Sequence, residues 1–435
     1  MEAAAAHLLD ETKELDISLL DQIVTIAFDS KHAQRSAANT FLVKMKEDPN
    51  MWKRAGAILE SSQLEATKFF GLQVLGDAVN TRWKIIPDDQ REGIKNYVVG
   101  KVMGLSSSPQ LLQQNSTFVG RLNLVLVNIL KQDWPHNWPT FIGDLVDASK
   151  TSESLCENNM QILQILSEEV FDFSIDSMTS AKAKHMKESL NEEFSKVFEL
   201  CQFILEASEQ PSLIIATLKT LQCFLSWIPL GYIFETQLIP TLISKFFPLP
   251  MFRTYTIDCL TEIASLPPGD INTEYLPSIQ QLLCMILTQL GEIIPMDTNL
   301  VAAYDNGDEE SCLFVSRLAL FLSTFLKSFG NLFENTSNVE HQQAIVNALT
   351  YLVMISEVND EEQDGEVFKS CLEFWYHFAK DLFTSDDYKR NSNANALDNF
   401  SAWGDRGGLN PSSAQSSRRV AAYAEILHRL RIVII

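Results

Sequence analysis

The residues able to do chemistry are present in number but not in constellation. Seven histidines are scattered along the chain, and no two stand at metal-ligand spacing on one helix. The seven cysteines, at 156, 201, 223, 259, 284, 312 and 371, include no Cys-x-x-Cys pair. Their odd number and their place inside apolar helical runs fit buried thiols in a reducing compartment, not a zinc site or a disulfide framework. Asp360, Glu362, Asp364 and Gly365 copy the first half of a calcium loop, but its twelfth position, which needs a bidentate Glu, is Cys371. A solvated acidic turn ahead of a helix is the expectation there. Trp134-Pro135 and Trp138-Pro139 could build an aromatic ligand site; prolines fixing a turn, with indoles covering helix ends, are the expected role. No phosphate loop, dinucleotide fingerprint, nucleophile elbow or His-Glu-x-x-His occurs. Neither an enzyme nor a cofactor or metal is expected.

What the chain does repeat is a structural unit: an amphipathic helix, a short break, a second helix, a longer break. The pattern predicts pairs at about 16–28 with 32–47, 50–61 with 64–84, 88–105 with 112–133, and 138–150 with 152–173. It continues at 179–208 with 211–227, 230–247 with 251–266, 275–294 with 311–333, and 340–357 with 365–385. Prolines 49, 87, 135, 211, 248, 267, 268 and 295 punctuate the breaks. No stretch alternates as a strand would. The predicted fold is all-α, an α-solenoid of about eight HEAT-type helix pairs plus one unpaired C-terminal helix at 418–435, with pair spacing near or above the roughly 40–47 residues of such repeats. A long acidic loop is expected at 295–310 and a linker at 386–417.

Two helices show how a unit works. In 152–173, Ile162, Leu163, Leu166, Val170 and Phe173 share one side, while Glu157, Gln161, Gln164, Glu168 and Asp172 run along the other. In 64–84, Leu72, Leu75, Val79 and Trp83 oppose Gln73, Asp77, Asn80 and Lys84. Stacked second helices would align these polar ribs along the inner wall of an arc. Phe118 to Leu130 is apolar nearly all round and should be sandwiched. Beyond the linker, Val420, Tyr423, Leu427, Leu430 and Ile434 form one face, and Glu425 can pair with Arg429.

The formal charge is −22. Residues 1–388 carry 27 Lys and Arg against 53 Asp and Glu, whereas 389–435 carry seven against three. That balance argues against direct nucleic-acid binding and points to basic protein partners or to solubility alone. The N-terminus lacks the basic start and apolar core of a signal peptide. The longest apolar stretch identified, Leu122 to Leu130, is far short of a span, so no membrane insertion is expected.

Several ordered segments go beyond generic helix pairs: Thr67-Lys-Phe-Phe-Gly-Leu-Gln-Val-Leu75, Arg82-Trp-Lys84, Ile129-Leu-Lys-Gln-Asp-Trp-Pro135 and Asn137-Trp-Pro-Thr-Phe-Ile142. Thr151-Ser-Glu-Ser-Leu-Cys156, Ser167-Glu-Glu-Val-Phe-Asp-Phe-Ser174, Trp227-Ile-Pro-Leu-Gly-Tyr-Ile-Phe-Glu235 and Cys259-Leu-Thr-Glu-Ile263 continue the series. Over about residues 14–385 the chain resembles the exportins, nuclear export receptors of the importin-β (karyopherin-β) superfamily. The resemblance implies importin-β-like N-terminal repeats at 1–150, including a region that binds Ran, and further exportin-type repeats at 151–385. It implies GTP-bound Ran, cargo with leucine-rich export signals and nucleoporins as partners, with shuttling between nucleus and cytoplasm through the nuclear pore. Together with the polar ribs it makes Gln73, Asp77, Asn80, Lys84, Lys131, Gln132, Glu157, Gln161, Gln164, Glu168 and Asp172 candidate Ran contacts. The chain is expected to be an N-terminal fragment that keeps part of this surface and lacks the export-signal groove. An importin-type receptor and a HEAT-repeat scaffold unrelated to transport stay open beside it.

Overall fold

A computed structural model describes residues 7–10, 12–171, 180–334, 336–358, 366–384 and 422–434. Asp172, the 386–417 linker and the Asp360–Gly365 turn lie outside them. Among the described residues the protein is helices and turns, with no strand. It divides into two compact units, Met1–Cys223 and Phe224–Ile435.

The first unit begins with α1 (Ile17–Phe28) and α2 (Arg35–Glu47), then α3 (Trp52–Ser61) and α4 (Glu65–Arg82). Asp16 caps α1 by accepting from the Leu19 amide at 2.9 Å. Arg54 of α3 donates to the carbonyls of Leu8, Asp10 and Lys13, tying down the chain ahead of α1. Arg82 does the same for the end of α2, donating to the Glu47 and Asp48 carbonyls. Then come α5 (Asp88–Leu105), α6 (Pro109–Gln114), α7 (Ser116–Asp133), α8 (Phe141–Ser149), α9 (Glu153–Phe171), α10 (Ser180–Ala207) and α11 (Pro211–Leu225).

These helices form two rows. In the first, Tyr97 and Lys101 of α5 both donate to Glu60 of α3, at 2.8 and 2.7 Å, and α8 packs on α10. In the second, α4 packs on α7 and α7 on α9. The Thr220 hydroxyl of α11 donates to the Met160 carbonyl of α9 at 2.8 Å. The expected sandwich is found: α7 lies against α4, α5 and α9 and buries Val119, Leu122, Val125, Leu126, Val127, Ile129 and Leu130. Each such side chain contributes about 1.5–3 kcal/mol. The polar atoms trapped there are paired, since Asn123 and Asn158 exchange amide hydrogen bonds.

Two boundaries in this unit differ from the sequence reading. The helix expected at 112–133 is split at Asn115, whose side-chain amide closes α6 on the Leu111 carbonyl at 2.8 Å. The helix expected from 138 starts at Phe141, after a turn over 134–140 that contains a cis Trp134–Pro135 bond.

The second unit shows a larger departure. Residues 230–247 are α12 (Gly231–Phe234), α13 (Leu238–Thr241) and a π-turn at Leu242–Phe246, not one helix. Pro240 has no amide hydrogen to continue the ladder, and the Thr236 hydroxyl takes the Leu238 amide at 3.2 Å. Then follow α14 (Pro250–Ala264), α15 (Leu276–Ile293), α16 (Leu300–Asp305), α17 (Glu309–Glu334), α18 (Val339–Ser356) and α19 (Glu366–Thr384). Part of the expected acidic loop is therefore α16, capped by Asn299 accepting from the Ala302 amide. By length and composition α17 could cross a membrane, yet over half of its most apolar window is buried inside the protein. Phe321, Phe325, Phe329 and Phe333 are buried along it, their rings meeting at tilted and edge-on angles. Tyr351 donates to the Ile294 carbonyl at 2.7 Å and Trp375 to the Ser356 hydroxyl at 2.9 Å.

The last described helix, α20 (Ala424–Ile434), has a seat on the unit. It packs on α18, buries Tyr423, Ile426 and Leu430, and sets the Tyr423 hydroxyl 2.9 Å from Glu334. The expected Glu425–Arg429 pair is replaced by Arg429 with Glu357 at 3.2 Å, because Arg429 points across the interface. Ile432 stays 69% exposed. With one covered face, α20 should exchange its amide hydrogens before α17 and α18 do, as mass-spectrometric hydrogen exchange would read; equal protection would mean it belongs to the core.

Candidate protein-binding surface

The sequence-predicted rib residues come mostly from the second row of helices. In α4, the buried face of Leu72, Leu75 and Val79 leaves Gln73 and Asn80 exposed and Asp77 half-exposed. Lys84 is exposed in the turn after the helix. In α9, Ile162, Leu163 and Leu166 are buried, Glu157, Gln161 and Gln164 are half-exposed and Glu168 is exposed. Polar contacts run between ribs and along them. Lys46 of α2 meets Asp77 of α4 at 2.9 Å and the Ser212 hydroxyl of α11 donates to Glu157 of α9 at 2.6 Å, while within α9 Gln164 donates to Glu168 at 2.9 Å. The ribs of α2, α4, α9 and α11 thus belong to one side-by-side row with α7 between α4 and α9.

Lys131 and Gln132 end α7 between those ribs, and the two differ. Gln132 is half-exposed. Lys131 is only 6% exposed, with its ammonium 2.6 Å from Glu169 of α9. Helix α7 is covered nearly all round, so its one Lys is drawn into the seam and paired.

Beneath the ribs lies a group that sequence reasoning missed. Asp133 is 3% exposed and accepts from the Trp83 indole at 2.8 Å, with the Lys95 ammonium 3.3 Å away. Lys95 also pairs with Glu92 and lies 5.4 Å from the Trp138 ring centroid. Trp134 is buried and Trp138 meets Phe141 edge-on at 5.1 Å, so the Trp-Pro pairs are structural. Lys182 of α10 stands by the same seam. Burial first, then the neighbouring Lys84 and Lys131 charges, lowers its pKa, and Asp133 partly offsets this. The signal was available: an Asp closing an apolar helix, next to a Trp-Pro turn, has few places to go except inward.

Three family models match in order along the chain: the importin-β N-terminal domain over 38–103, the exportin 1-like protein over 115–260, and the chromosome region maintenance or exportin repeat over 343–383. Exportin-1 of Drosophila melanogaster is 47% identical over 382 residues, covering 88% of this chain and 35% of the relative. Exportin-1 of Schizosaccharomyces pombe is 41% identical over 97% of this chain and 38% of its own length. EXPORTIN 1A of Arabidopsis thaliana is 43% identical, covering 87% and 34%. By sequence, this chain is a homologue of the exportin-1 family's N-terminal portion. It spans a little over a third of the length of the exportin-1 relatives it matches. The importin-β N-terminal match covers α3 and α4, including Gln73, Asp77, Asn80 and Lys84. The exportin 1-like match covers α7 and α9, including the α9 rib residues and the Asp133 centre.

The two kinds of site should separate on mutation. Glu168→Arg touches an exposed rib and should leave unfolding free energy within about 0.5 kcal/mol. Asp133→Ala leaves the buried Trp83 indole without its acceptor and removes one of the two carboxylates on the buried Lys95, with Glu92 remaining; it should cost about 1–3 kcal/mol, read by urea unfolding. A neutral Asp133 variant would remove that centre from any structural role.

Proposed function

We propose that this chain acts in nuclear export as an exportin-1-type receptor, and that the ribs of its second-helix row contact the GTP form of Ran. The observation that carries the reading is the row itself: exposed and half-exposed polar side chains at regular helical steps on α4 and α9. Paired rigid helices hold them from below. Such a surface suits a folded protein partner more than a small molecule, because it is broad, polar and held on rigid elements. The resemblance to exportins and the names of the relatives support the rest of the reading. Export-signal proteins are the cargo, nucleoporins the transit partners, and the receptor shuttles between nucleus and cytoplasm without hydrolysing anything itself.

The rib residues divide by availability. Gln73, Asn80 and Lys84 can meet a partner with little rearrangement, as their exposure allows, while the exposed Glu168 would give up the Gln164 amide. Asp77 and Glu157 would exchange Lys46 and Ser212 for the partner. Lys131 acts indirectly, fixing α7 to α9 through Glu169. Asp172 is retained on the sequence pattern.

Immobilised GTP-loaded and GDP-loaded Ran distinguish the possibilities. Capture of the chain on the GTP form alone, weakened by the Glu168→Arg and Asp172→Arg pair, is the expected result. Capture indifferent to nucleotide would favour a scaffold. Unchanged capture by the double variant would take those two residues out of the site. With an export-signal cargo added, cooperative binding with Ran marks an export receptor, whereas displacement by Ran marks an importin.

A further inference from the structure

We propose that His136 and His185 form a two-imidazole chelate for a borderline transition cation, of which Zn2+ is the natural probe. His136 is exposed in the turn between α7 and α8, and His185 is exposed in the second turn of α10. Their Nε2 atoms are 3.2 Å apart, their ring centroids 4.9 Å apart and their planes inclined by 25°.

Two accounts of that geometry compete. One ring donating a hydrogen to the other explains the nitrogen separation. A straight N–H···N bond of that length, however, sets the ring centroids about 5.5 Å apart; here they are 4.9 Å apart, so the rings diverge at an angle from their Nε2 ends and are not in line. A tetrahedral ion bound at about 2.0–2.1 Å holds two nitrogens about 3.3 Å apart. The pair already matches that bite to within about 0.2 Å, so closing on an ion needs almost no reorganisation.

The supports are fixed as well. Next to His136, Trp134 is buried and the Asn137 amide donates to the Asp133 carbonyl at 2.7 Å. Next to His185, Met186 is buried at 1% exposure, anchoring that face of α10. No third His, Cys, Asp or Glu completes a cluster among the described residues, so water fills the remaining positions. Neutral imidazole suits Zn2+, Cu2+ and Ni2+, while Ca2+ and Mg2+ require oxygen donors. Binding would clip the α7–α8 turn to α10.

Titrating Zn2+ into the whole chain by calorimetry tests this. One saturable site is expected in the parent, weakened about tenfold or more in both His136→Gln and His185→Gln. The double variant should lose no more than either single one, since the chelate acts as a unit. Mg2+ should not compete, and Zn2+ should raise the melting temperature of the parent but of neither variant. Equal Zn2+ affinity in parent and variants, or no saturable site in the parent, overturns the proposal. Apo melting curves that coincide for all three proteins exclude misfolding as the cause of a loss.

Discussion

A single helix pair cannot bury its own apolar faces, and everything else in this protein follows from that constraint. Each pair leaves a stripe of leucine, isoleucine and phenylalanine that only the next pair can cover. The burden falls hardest on α7, apolar on nearly every side, which must have α4, α5 and α9 around it at once. Because that enclosure admits no free charge, the Lys131 and Asp133 at its end must be answered from neighbouring elements. Glu169, Lys95 and the Trp83 indole answer them. The polar seam is therefore a consequence of the apolar stacking, and it fixes how α4, α7, α9 and their partners sit.

Much of this was legible in the sequence. Helical periodicity alone separated Leu72, Leu75 and Val79 from Gln73 and Asn80, and Ile162, Leu163 and Leu166 from Gln164 and Glu168, as burial in the fold has it. Proline punctuation placed most breaks. What periodicity could not see were local competitions for backbone hydrogen bonds. Pro240 with Thr236 broke one expected helix into three pieces, Asn115 split another, and Asn299 nucleated a short helix inside an acidic loop. Each is decided by one side chain, whereas periodicity averages over many.

The site residues were less legible for a different reason. Reading a charge as exposed is correct for most lysines but fails where a helix has little free face, as for Lys131, or where the residue falls on the buried face of a half-exposed helix, as for Lys95 beside Ile94 and Val98. Long-range pairs such as Trp83 with Asp133, or Arg429 with Glu357, depend on which elements become neighbours. A local i,i+4 rule offered Arg429 to Glu425 instead. Side-chain partners within one helix can be proposed from spacing, but partners across a seam require the packing.

The two classes of polar contact also suit different tasks. Exposed pairs on the ribs, such as Lys46 with Asp77, contribute only about 0–1 kcal/mol each. A protein partner can therefore replace them with its own charges at small cost. The buried pairs behave oppositely. Removing one member of a buried pair takes away a charge-assisted contact in a seam where water cannot readily replace it, so Lys95–Asp133 and Lys131–Glu169 resist exchange and hold the row in register. A surface meant to grip another protein benefits from that division: contacts that trade easily on the outside, carried by contacts that do not trade beneath. The acidic excess of the chain adds a long-range pull on basic partners, strongest at low salt, but the local choice of partner rests with the ribs.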